Sequence, residues 1–115
     1  MTHYLAADLT FVPADPARDT DDEFDAFTDT IADELLELAD VDPGIIDPDV
    51  TVRISDRWAS VLMGIEADSE DDAFRLFSAN LRAVLHAAGA GTAAWPVFKP
   101  STKVPEVRRV PVTCS

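Results

Sequence analysis

The chain has 115 residues, 47% of them hydrophobic, and sets 22 Asp and Glu against nine Lys and Arg for a formal net charge of −13. That length suits one domain around a single core, and the spread of Phe, Leu, Val and Ile argues against a disordered chain. The negative charge repels nucleic acid and anionic membrane surfaces, so neither is an expected partner. MTHYLAADL at the start lacks a basic segment and meets Asp8 early, and no apolar run reaches the ~18 residues of a membrane span; the expectation is a cytoplasmic protein. Cys114 has no second cysteine to pair with and reads as an incidental thiol.

In chain order, Tyr4 to Val12 alternates Leu5, Ala7, Leu9 and Phe11 with Ala6, Asp8 and Thr10, which predicts a strand with one buried face. VPADPARDT then suits a connection. Thr20 with Glu23 matches a capping box, and Phe24, Phe27, Ile31, Leu35 and Leu38 form one face of a helix running to about Ala39. The passage DVDPGIIDPD, Asp40 to Asp49, reads as a turn-rich connection. Val50, Val52 and Ile54 give a second strand, the SDRW stretch a turn, and Ala59, Val61, Met63 and Ile65 a third strand, the two forming a hairpin. Ser69 and Asp72 cap a second helix, striped by Phe74, Phe77, Leu81, Val84 and Leu85 and expected to end at Gly89. Trp95, Val97 and Phe98 begin a last extended segment.

The heptads DDEFDAF, from Asp21, and DDAFRLF, from Asp71, are equivalent helix starts, each with acid at the positive end of the dipole followed by paired phenylalanines. Strand, helix, strand, repeated once, resembles the ferredoxin-like βαββαβ sandwich: an α+β fold whose antiparallel sheet carries both helices on one face. Pro96, Pro100, Pro105 and Pro111 all fall in the final segment, as the edge position of a fourth strand in that resemblance allows. The division is a domain over residues 1–99 and a basic, proline-containing tail over 100–115, read as a further edge strand or an arm.

Several chemistries fail on spacing. Counted as a calcium loop from Asp40, the acidic connection has Gly44, Ile45 and Thr51 where ligands and the turn glycine belong. Gly89-Ala90-Gly91 follows a helix, where a phosphate cradle would precede one. His3 and His86 are too far apart for a zinc or nucleophile pair to be read, so no cofactor or metal is expected, and His86 most simply complements a helix dipole. No acid-base pair is set by spacing, which leans away from an enzyme.

Charge segregation is the stronger signal. Thirteen acids and no base lie between Asp19 and Asp49, whereas Lys99, Lys103, Arg108 and Arg109 crowd the tail. Asp21, Asp25, Asp29, Asp33 and Glu37 stand at every fourth position of the first helix, where each like-charged neighbour pair costs about 0.2–0.5 kcal/mol. In the second helix Asp71 and Arg75 are spaced to attract. The expected function is a non-enzymatic interaction or regulatory module whose acidic helix engages a basic protein, or the basic tail of a second copy in a homodimer. The competing expectation is a small-molecule binder or cofactor-independent enzyme on a dimeric sheet, with Tyr4, Arg53, Arg57 and Glu66 lining a pocket on the uncovered face.

Overall fold

The fold is taken from a computed structural model, which describes residues 1–13, 16–90, 98–101 and 106–110. Strand β1 spans Thr2–Pro13, helix α1 Asp21–Val41, β2 Ile45–Arg53, β3 Trp58–Glu66 and α2 Glu70–Leu85, followed by β4, Phe98–Pro100, and β5, Glu106–Arg109. The sheet is antiparallel in the order β2-β3-β1-β4, which is the ferredoxin-like βαββαβ topology. β5 pairs with β1 beyond the end of β4.

Alternation places the core. Leu5, Ala7, Leu9 and Phe11 of β1 and Ala59, Val61, Met63 and Ile65 of β3 are buried together with Phe24, Phe27, Ile31 and Leu35 of α1 and Phe77, Leu81 and Val84 of α2. Both helices therefore cover one face, and the even-numbered residues of β1 and β3 line the other. Each helix begins as the capping pattern demands: Glu23 donates its amide to Thr20 Oγ1, and Asp72 to Ser69 Oγ, both at 3.2 Å. The two starts are not fully equivalent, because Phe24 and Phe27 are both buried whereas Phe74 only packs against the edge of the core.

Four expectations need correction. β2 begins at Ile45, inside the stretch read as a connection, because a bulge absorbs its awkward residues. Ile46 pairs with Gly64 and Asp49 with Leu62, three residue steps against two, and the surplus is taken up at Asp47, φ 48°, and Pro48. An edge strand tolerates the missing proline donor there. Ile54 belongs to the turn after β2, where Arg57 has φ 50°. α2 does not end at Gly89: the α-helix stops at Leu85 and a π-helical turn runs over His86–Ala90. Arg75 bonds Asp72, one turn back at 2.8 Å, rather than Asp71.

The final segment seats one large side chain. Phe98 is fully buried, with ring centroids 5.1 Å from Phe24 and 5.6 Å from Phe27, while Phe11 stands 5.2 Å from Phe27 in an edge-on contact. β4 is thus pinned by an aromatic cluster joining β1, α1 and itself. Trp95, Val97, Lys103 and Cys114 lie outside the described residues.

Candidate functional site

The outward face of α1 follows from its inward one. Phe24, Ile31 and Leu35 point to the sheet, so at about 100° per residue the opposite side carries Asp22, Asp29, Asp33 and Asp40, flanked by Asp25 and Glu37. All six are exposed, and from Asp22 to Asp40 the row extends about 27 Å. Among the described residues no cation stands within ion-pair distance of Asp25, Asp29, Asp33 or Glu37. Leu36, 57% exposed, sits among them, one turn from Asp33 and one from Asp40. Counting every fourth residue missed Asp22 and Asp40, because a spacing of four drifts about 40° per step around a 3.6-residue helix.

Asp21, the first of the five predicted acids, is the exception. Arg57 Nη1 bonds its carboxylate at 2.8 Å, Arg57 Nε bonds Asp19 at 2.8 Å, and Nη1 also donates to the Ile54 carbonyl at 2.6 Å. These two carboxylates raise the guanidinium pKa above its ordinary value. The same guanidinium lies 5.5 Å from the Phe24 ring centre and 6.0 Å from that of Phe98. Arg57 therefore clasps the β2–β3 turn to the start of α1 and is absent from the open sheet face, where sequence alternation had put it. The positive φ at Arg57 breaks the strand alternation on which that placement rested.

The other proposed pocket residues do lie on the open face, but they do not converge. The Tyr4 ring rests on Gly64, where a Cβ would come within 2.9 Å of Tyr4 Cε1, and its hydroxyl stands 3.5 Å from Asp47 Oδ2. Arg53 stacks over Trp58, 4.8 Å from the ring centre. Glu66 is engaged by the Met1 amine and by Thr2 Oγ1, each at 2.6 Å, and these bonds hold its carboxyl below the usual range. Two surface depressions among the described residues, of about 360 and 310 Å³, separate Glu66 from Tyr4, and Arg53 lines neither.

The basic tail folds back on its own chain. Arg108 grips Asp8 on the open face with contacts of 3.0 and 3.3 Å, and Arg109 reaches Glu70 at the start of α2 at 3.2 Å. The Arg108 bonds, with a further one from Ser60, hold the Asp8 carboxyl below its ordinary pKa. Lys99 contributes its backbone to β4; its side chain and Lys103 are not among the described groups. Among the described residues no three His, Cys, Asp or Glu side chains cluster as metal ligands, and no helix is long and apolar enough to cross a membrane.

Comparison with protein-family models, curated proteins and solved structures finds no match to this chain. The class stated by the fold itself, a ferredoxin-like α+β sandwich, hosts unrelated functions. Function must be argued from the surface chemistry.

Proposed function

We propose that the chain is a protein-interaction module, non-enzymatic, whose α1 face docks a basic protein surface. The observation that carries this reading is the row of outward carboxylates at Asp22, Asp25, Asp29, Asp33, Glu37 and Asp40, of which the central four have no cation within ion-pair distance among the described residues. Their mutual repulsion opposes helix formation. A cationic partner relieves it, and a single-sign surface of this length accelerates association with that partner while rejecting acidic ones. Leu36 supplies an apolar contact inside the charged row.

The small-molecule reading has less support, since Arg57 is committed to Asp19 and Asp21, and Tyr4, Arg53 and Glu66 each have separate neighbours. Chemistry needs groups that converge on one point.

The test compares two charge-matched variants. Asp25→Asn, Asp29→Asn, Asp33→Asn and Glu37→Gln together should reduce the on-rate for a Lys-rich protein surface at least tenfold at low salt. Neutralising Asp47, Asp49, Asp56 and Asp68 instead changes net charge equally and should have a far smaller effect. Equal losses in both variants would mean that net charge, and not this face, governs association.

A further inference from the structure

β5 is attached lightly. It pairs with β1 over four positions, Leu5 with Arg109 to Asp8 with Glu106, and Val110 then donates its amide to the Tyr4 carbonyl at 2.8 Å. Among the described side chains of β5 none fills the core as Phe98 of β4 does; Val107 is half-buried at its margin. β5 is also out of step with β4. Six residue steps separate Pro100 from Glu106, whereas their partners Phe11 and Asp8 are three apart. Besides the main-chain ladder, β5 is fastened by two arginines on opposite faces, Arg108 to Asp8 and Arg109 to Glu70, with side chains 51% and 71% exposed. Ion pairs this accessible hold weakly and are screened by salt.

The edge beneath is well formed. The Val110 bond to Tyr4 sets the phase of the ladder: Tyr4, Ala6 and Asp8 turn their backbone groups to β5, while Leu5, Ala7 and Leu9 turn theirs to β3. If β5 left, β1 would present a free strand edge beside an acid, Asp8.

We propose that β5 is a detachable strap, the intramolecular stand-in for an extended basic segment of a partner protein that adds to the β1 edge as a strand. Such a segment carries Arg or Lys where Arg108 meets Asp8 and a β-branched residue where Val107 meets the core margin. Main-chain bonds supply its affinity and Asp8 selects its charge, as in strand addition generally. This edge is separate from the α1 face and does not depend on the docking role of that helix.

Residue-resolved amide exchange on the full chain tests it. In the wild type, protection at Ala6 and Asp8 should be at least tenfold lower than at Leu5 and Ala7, because the strap opens without the fold. Arg108→Ser with Arg109→Ser should lower Ala6 and Asp8 protection about tenfold further and leave Leu5 and Ala7 unchanged. Adding a capped peptide of the strap sequence, EVRRV, should restore it, and the same peptide with both arginines replaced by Ser should not. One shared rate for even and odd positions would overturn the proposal by making β5 part of the cooperative fold. Failure of millimolar EVRRV to protect the double variant would overturn the partner assignment, as would a concentration-dependent dimer by light scattering, which would give the edge to a second copy.

Discussion

Arg57→Ala should be among the most damaging changes outside the core. The side chain is 18% exposed and makes two carboxylate contacts, one carbonyl bond and two ring contacts. The Asp21 contact is largely solvated and contributes at most about 0.5 kcal/mol. The more sheltered Asp19 and Ile54 contacts contribute about 1 kcal/mol each, and stacking over Phe24 and Phe98 about 0.5 kcal/mol. The total is about 3 kcal/mol, which for a chain of this size lowers Tm by roughly 12 °C. Backbone strain separates this explanation from a simple loss of contacts. At φ 50° any residue but glycine is disfavoured, so Arg57→Gly should be about 1 kcal/mol more stable than Arg57→Ala although it loses the same bonds. Urea unfolding at low salt and at 0.5 M salt reads all of this, with salt removing only the Asp21 share. An Arg57→Ala variant within 0.5 kcal/mol of wild type, or a Gly variant no better than Ala, would refute the clasp.

Three further changes probe other parts of the fold. Phe98→Ala should lose about 3–4 kcal/mol by denaturant unfolding, since the ring is fully buried between Phe24 and Phe27. Gly64→Ala should lose about 1–3 kcal/mol, and Tyr4→Ala in the same chain should recover only part of it, because the Ile46 carbonyl also lies 3.0 Å from the new Cβ. Asp8→Asn tests a pH effect. The Arg108 guanidinium holds the folded-state pKa of Asp8 below its ordinary value, so its stabilisation is complete above that ordinary value and disappears as pH falls through the lower folded one. The stability gap between wild type and Asp8→Asn should be flat near neutral pH and close in strong acid; a gap that widens on acidification would contradict the assignment.

Most of the fold was legible because its signals are local and periodic. Thr20 and Ser69 announce both helices, and the period-two runs through Leu9 and Val61 set the buried face. What escaped was conformational rather than compositional. Positive φ at Asp47 and Arg57 lets β2 start early and turns Arg57 toward α1, and neither residue type advertises that backbone state as glycine would. The acidic helix was visible as composition. Its outer face was implicit in the spacing of Phe24, Ile31 and Leu35, but following every fourth acid drifts off that face and leaves out Asp22 and Asp40. The recruitment of Arg108 to Asp8 and Arg109 to Glu70 joins positions far apart in sequence, which no spacing rule reaches.

The most direct measurement is a residue-resolved NMR titration of the chain with a basic peptide at low salt. Shifts concentrated on the outward residues of α1 between Asp22 and Asp40, and abolished by 0.5 M salt, are the predicted result. Shifts spread evenly over Asp47, Asp56, Asp68 and the helix would contradict it, because the peptide would then be responding to the charge of −13 as a whole and to no particular surface.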